Sequence, residues 1–183
     1  MTEDNCIEQI ETRRSIRKFK DERIPDEVID KIVRTGLWAP SAGNLQPCRI
    51  VKTTSDDQIK KLADAAYGQN VVKDASAVLV VVAVPSESAQ KYGSRGRSLY
   101  VYQDTAALTN TILLTVHAMG YGGCWVGAFN EAAAADAISA PDGFQPVSII
   151  PIGVPDESPN PRARKPPAEV VVDDKFGDIE SAI

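Results

Sequence analysis

Residues 77–84 read AVLVVVAV, eight consecutive apolar residues rich in β-branched side chains. A run of this length and type forms a strand, and without polar alternation the strand has to be covered on both faces. It is the longest apolar run in the chain and falls far short of the ~20 residues that cross a bilayer. The N-terminus, MTEDNCIEQIETR, lacks a charged-then-apolar leader, so the chain reads as soluble and cytoplasmic. A chain of 183 residues fits one domain, 1–183, able to bury roughly 70 % of its unfolded surface. No internal repeat or long linker divides it.

The other elements follow from local chemistry. A first helix is expected over about 4–13. A second begins at Pro25, with Asp26 and Glu27 in its first turn, Val28, Ile29, Ile32 and Val33 on one face, and Gly36 and Pro40 closing it. APSAGNLQP (39–47) is a loop, and CRIVKTT (48–54) a strand. Ser55 with Gln58 reads as a capping box for a helix reaching about Tyr67. PSESAQKYGSRGRS (85–98) is a polar connection, and a long helix follows over about 98–119. Its stripe is Val101, Thr105, Leu108, Ile112, Val116 and Met119, and Gly120 stops it. Asn130 caps an alanine-rich helix. PVSIIPIGV (146–154) is a core strand whose two prolines suggest an edge or a bulged end. Residues 155–167, with five prolines, are irregular, and EVVVDD (169–174) is a last strand.

The charge distribution is uneven. RRSIRKFK (13–20) carries five cations in a chain of net charge −5. Nucleic acid, a membrane surface, a bound phosphate and a solvated face are all candidate explanations. A pI near 5.0 argues against a general polyanion binder, which usually carries a basic face across the whole domain, so a local charge needs a local target. Cys6, Cys48 and Cys124 are odd in number and have no CxxC spacing, which gives no basis for a disulfide framework or zinc site. One histidine, His117, leaves little for a metal site or a Ser-His-Asp triad. Its apolar helical setting favours a packed or surface-tipped histidine over a catalytic one.

Three segments carry candidate chemistry, each with a plainer alternative. GYGGCWVGAFN (120–130) suggests a dinucleotide loop, but Trp125 occupies the place of the last glycine and a helix, not a strand, precedes it. A helix terminator and turn is the plain reading. PSAGNLQP (40–47) offers the amides Asn44 and Gln46, whose donors and acceptors suit a heterocycle with alternating C=O and N–H groups; it also reads as an ordinary loop. RARKP (162–166) presents Arg162 and Arg164, whose planar forks suit phosphate, or else forms a solvated basic tail.

In order along the chain, RRSxR follows the first helix, PSxxNxQP the second, GYGGCWVG the long helix, and RARKP comes late. This arrangement, spanning Arg13 to Pro166, resembles the nitroreductase family of FMN-dependent oxidoreductases, in its short single-domain form. The resemblance implies an α+β fold with a central, mainly antiparallel sheet flanked by helices, in an intertwined homodimer with FMN at the subunit interface. It implies that Arg13, Arg14 and Ser15, with Arg162 and Arg164, approach the FMN phosphate and ribityl chain, and that Arg17 lies near N1/C2 of the flavin. Pro40, Ser41, Ala42, Asn44 and Gln46 would come from the other subunit, with Gln69 at the ring's polar edge. Trp125, Val126 and Gly127 would run beside the flavin, a backbone N–H of Gly127 or Ala128 directed at N5. The last strand would cross to the partner's sheet.

The implied activity is ping-pong. NAD(P)H reduces the flavin, and a small acceptor such as a nitroaromatic or quinone is then reduced. The flavin carries the chemistry, so no catalytic triad and no metal are required. A cation near N1/C2 would stabilise charge that grows on hydride uptake, and a glycine lets backbone approach N5 closely. Two features depart from the family pattern. Cys48 stands where a large aromatic often follows QP, and 85–98 is short, with Tyr92, Arg95, Arg97 and Tyr100 as expected rim residues. A flavin-binding protein without turnover, an FMN enzyme using another reductant, and a dehalogenating or flavin-fragmenting enzyme stay open as alternatives. Nucleic-acid binding is disfavoured by the pI and the lack of interleaved aromatics.

Overall fold

The computed structural model describes residues 3–176, so the ends of the domain expected over 1–183 lie outside it. α1 (Glu3–Thr12) leads into the cationic stretch, and α2 (Asp26–Gly36) starts behind Pro25 and buries Ile29 and Ile32. A 3-10 turn (Ala42–Asn44) sits in the following loop, then come β1 (Cys48–Thr53), α3 (Asp56–Ala65) and α4 (Asn70–Lys73). β2 (Ala77–Ala83) is followed by α5 (Pro85–Arg95), a π-helical turn (Gly96–Tyr100) and α6 (Val101–Ala118). β3 (Gly122–Gly123), α7 (Glu131–Ala137), β4 (Gln145–Gly153) and α8 (Pro167–Val170) complete the order.

The four strands form one antiparallel sheet in the order β1-β2-β4-β3. β2 is central and buried along its whole length. Val78, Val80 and Val82 pack on one face with Ile59, Leu62, Val72 and Ile149, under α3, α4 and α7. Leu79 and Val81 pack on the other with Ile29, Ile32, Leu108 and Ile112, under α2 and α6. Each such side chain contributes roughly 1.5–3 kcal/mol relative to exposure, which is why an uninterrupted apolar run can be accommodated only here. Where α2 meets α6, a Cβ at Gly36 would lie 2.5 Å from Ile112 Cγ1, so glycine sets the helix spacing.

Several expectations are corrected. Residues 85–98 are not a connection but α5 and a π-helical turn. Pro85 supplies the helix start and Gly93 (φ 55°, ψ −137°) kinks it, while a Cβ at Gly96 would lie 2.4 Å from Ser88 O. Ser55 makes no side-chain cap, and Gln58 donates to the Ala137 carbonyl at the end of α7 instead of turning back to Ser55. α3 stops at Ala65, and the short α4 was not foreseen. Of the two alternatives for the prolines of β4, the edge is wrong, since β4 lies inside the sheet, and the bulged end holds, as a register shift between Val81↔Ser148 and Val82↔Pro146. The expected strand at 169–174 is absent among the described residues: Pro167 starts a helical turn through Val170, its fixed φ suiting the first helical position. Asn130 does cap α7, its Oδ1 accepting from the Ala133 N–H at 3.0 Å. No helix among the described residues is long and apolar enough to cross a membrane.

Candidate functional site

The cationic stretch runs alongside the end of β4. The Ile16 N–H donates to Gly123 O at 3.0 Å, Lys20 N–H to Val154 O at 2.9 Å, and Asp156 N–H to Lys18 O at 3.0 Å. Ile16 is buried and Phe19 half-buried against the core. A Cβ at Gly122 would lie 2.8 Å from Ile16 Cβ, and one at Gly153 2.6 Å from Phe19 Cγ, so two glycines make room for them. Lys18 and Lys20 are exposed.

This pairing carries the chain back across the first cationic segment. Arg13, Arg14, Ser15, Arg17, Pro159, Asn160, Arg162 and Arg164 line one cleft of about 220 Å³. None of its five guanidinium groups forms a salt bridge among the described residues; the ion pairs there are Arg23–Asp56, Arg49–Glu87 and Lys52–Asp30. Arg14 Nη1 donates to Glu11 O at 2.6 Å and Arg13 O at 2.9 Å. The Arg17 N–H donates to the Glu157 carboxylate at 2.5 Å, a clamp that holds the two cationic segments together. Arg17 shares this cleft with Arg13 and Arg14. Five guanidinium groups that converge free of salt bridges among the described residues suit a multiply charged anion with several acceptor oxygens.

The 120–130 segment sits beside it. Cys124 lies behind the cationic stretch; burial pushes its thiol pKa up, against Arg17, Ser15 and Arg13. Val126 exchanges hydrogen bonds with Ile149, at 2.9 and 3.0 Å, and its side chain is in the core, so only its backbone could run along a ligand. Trp125 is 42 % exposed. With Gly127, Tyr102, Thr105, Thr109, Phe129 and others it lines an open cleft of about 380 Å³. The Gly127 and Ala128 N–H groups donate to nothing among the described residues, and a Cβ at Gly127 would meet only Trp125 Nε1, at 3.9 Å. Gln69 approaches from α4, its amide donating to Ala66 O and Ala128 O, both at 2.9 Å.

The 40–46 loop lines a separate small cavity with Leu37, Cys48, Asp104 and Leu108. Within one chain it shares no lining residue with the arginine cleft. Gly43, Asn44 and Gln46 all have positive φ (56°, 56° and 49°), costly for the two non-glycine residues. Gln46 N–H donates to Ser41 Oγ at 3.0 Å and Gln46 Nε2 to Asn44 O at 3.2 Å. Tyr92, stacked edge-on to Tyr100 at 5.1 Å, reaches the loop: a Cβ at Gly43 would lie 2.5 Å from its hydroxyl. Arg95 donates to the Tyr100 hydroxyl at 3.0 Å, so three of the four expected rim residues form one cluster. Burial chiefly raises the Cys48 pKa, opposed by Arg49, so its thiol stays protonated at neutral pH.

Sequence reasoning missed Asp104. It is 8 % exposed on α6, and its Oδ1 accepts from the Ala42 N–H at 2.9 Å. The signal was present: Asp104 follows Val101 by three residues and precedes Leu108 by four, a charge set into the apolar stripe. Glu157 and Asn160 were also missed, because nothing local marks them.

The nitroreductase family model matches residues 10–90 and 67–154. A protein of Archaeoglobus fulgidus, described as a candidate NADH dehydrogenase/NAD(P)H nitroreductase, is 33 % identical over 156 residues, 83 % of this chain and 86 % of that protein. Among solved structures, nitroreductase A from Vibrio parahaemolyticus has a TM-score of 0.87 at 26 % identity, covering 97 % of this chain and 79 % of that one. The NADPH:FMN oxidoreductase of Vibrio harveyi complexed with NAD+ has a TM-score of 0.86 at 28 % identity, covering 96 % and 79 %.

Proposed function

Because this chain belongs to the nitroreductase family, we propose that it is an FMN-dependent oxidoreductase that oxidises NAD(P)H and reduces a small acceptor, a nitroaromatic, quinone or similar compound. The observation that carries the reading is the cleft of five arginines whose guanidinium groups form no salt bridge among the described residues. Its size and donor set suit one phosphate ester, and a dianion there gains charge-assisted hydrogen bonds about twice as strong as neutral ones. The unengaged Gly127 and Ala128 N–H groups, next to open space, fit a flat heterocycle with an acceptor atom.

Bound FMN would supply the two-electron, hydride-accepting chemistry. The chain's part is to bind and orient it. Arg13, Arg14, Arg162 and Arg164 hold the phosphate, with Ser15 alongside. Arg17 adds positive charge where the reduced cofactor gains negative charge, and the backbone at Gly127 and Ala128 offers donors without a titrating group. Trp125 and Gln69 border the ring. The 40–46 loop shares no cavity with the arginines of its own chain, which supports a homodimer in which Pro40, Ser41, Ala42, Asn44 and Gln46 complete the site of the second copy.

The test is direct. Purified protein should be yellow or take up FMN stoichiometrically, NADH or NADPH should bleach it anaerobically, and steady-state kinetics should be ping-pong. Colourless protein that takes up no FMN would overturn the reading.

A further inference from the structure

We propose that Asp104 is a positioning residue that fixes the 40–46 loop in its cofactor-facing shape by accepting the Ala42 N–H. The inference rests on the functional reading above.

Three observations converge on it. First, the loop is strained: Asn44 and Gln46 hold positive φ, a conformation that persists only where surroundings impose it. Second, its internal bonds do not tie it to the rest of the molecule. Asn44 N–H donates to Ser41 O, Leu45 N–H to Ala42 O and Gln46 N–H to Ser41 Oγ, all within the loop. Gln46 O accepts from the N–H of Cys48, where the chain enters β1, and among the described residues Ala42 N–H to Asp104 Oδ1 is the one hydrogen bond joining the loop to an element distant in sequence. Third, Asp104 has no packing reason to be there. It lines a cavity with Leu37, Ala39, Leu108 and Cys48 and with Ser41 and Gln46 of the loop itself, and its Oδ2 is buried without a hydrogen-bond partner among the described residues.

A buried carboxylate with one oxygen unpaired destabilises a fold, whereas an apolar side chain at the same point of the stripe would not. What the carboxylate adds is a strong, short-armed acceptor aimed at one backbone N–H, rooted in the long helix packed on the central sheet. Burial raises the Asp104 pKa, and the Ala42 hydrogen bond opposes that rise. Residue 42 lies between Ser41 and Asn44, so holding its amide sets the direction of both side chains.

The experiment compares wild type, Asp104→Ala and Asp104→Asn by FMN titration, by binding of inorganic phosphate, and by hydrogen exchange of the Ala42 amide in the FMN-free protein. Asp104→Ala should weaken FMN binding by roughly tenfold or more, accelerate Ala42 exchange, and leave phosphate affinity unchanged, since the arginine cleft is separate. Asp104→Asn, which keeps an acceptor oxygen, should restore both FMN affinity and amide protection. Wild-type FMN affinity in Asp104→Ala, parallel loss of phosphate binding, or no rescue by asparagine would each overturn the proposal. If wild type itself binds no FMN, the functional reading fails, and Ala42 exchange alone still decides whether Asp104 holds the loop.

Discussion

Thr12 Oγ1 and His117 Nε2 lie 3.0 Å apart, joining α1 to α6 at the residue before Arg13. The Thr12 hydroxyl donates its proton to Glu8 O at 2.6 Å, so Nε2 carries the hydrogen of that contact. Burial first, then Arg13 and Arg14, hold the imidazole below its ordinary value of 6.5. For a base depressed on folding, the unfolded state binds more protons, so this contribution to stability is complete above the ordinary value and lost as pH falls below it. An anion in the arginine cleft offsets the two guanidinium charges and should raise the His117 pKa. As the chain's only histidine, its NMR titration with and without inorganic phosphate is unambiguous. An unmoved pKa would separate His117 from the cleft.

Arg13→Ala should weaken FMN binding by at least ~1.5 kcal/mol, the worth of a hydrogen bond to a charged group. Arg162→Ala should act similarly, and the double variant should lose a different total from the sum, since both would serve one phosphate. Calorimetric titration of FMN into apoprotein measures all three. Unchanged FMN retention in Arg13→Ala would assign the cleft to another anion.

Two glycine substitutions should separate folding from binding. Gly153→Ala places a Cβ 2.6 Å from Phe19 Cγ and should lower stability by ~1–3 kcal/mol through overpacking, with FMN affinity falling as the cationic stretch shifts. Gly127→Ala meets nothing closer than 3.9 Å and should leave apoprotein stability within about 0.5 kcal/mol while impairing FMN binding. Urea unfolding and FMN titration give the two readouts. If Gly127→Ala binds FMN normally, the 127–128 backbone does not face the ring.

Asp104→Asn should be at least as stable as wild type at neutral pH. Burial raises the Asp104 pKa from its ordinary 3.8; a carboxyl raised on folding contributes fully below its unfolded value, and that contribution is lost as pH rises through the folded one. Asparagine does not titrate, so the variant's advantage should grow from about pH 4 to pH 7 in urea melts. A gap that narrows with rising pH would contradict the assignment.

Where an element's own side chains decide it, the sequence was legible. The 77–84 run could be nothing but a doubly covered strand, and Asn130 announced the start of α7. α5 was not legible, because Gly93, Gly96 and its serines are poor helix formers and its register depends on Ser88 meeting the Gly96 backbone. β3 consists of Gly122 and Gly123, which hold no strand preference; pairing with Gly153 and Ile152 makes them one. Pro146 and Pro151 suggested an edge or a bulged end, and only the sheet decides between them: β4 is internal and absorbs the irregularity as a bulge.

The candidate site divides the same way. The sequence by itself determined the ingredients: guanidinium groups in two segments, an amide-bearing loop, and glycines beside Trp125. Only the tertiary structure decided that Arg13–Arg17 and Arg162–Arg164 share one cleft, that Val126 turns into the core, and that Asp104 holds Ala42. The physical reason is that charge, propensity and periodicity are properties of neighbours in the chain. Convergence depends on backbone pairing between distant segments, here Lys20 with Val154 and Lys18 with Asp156, and an N–H or C=O is the same whichever residue carries it.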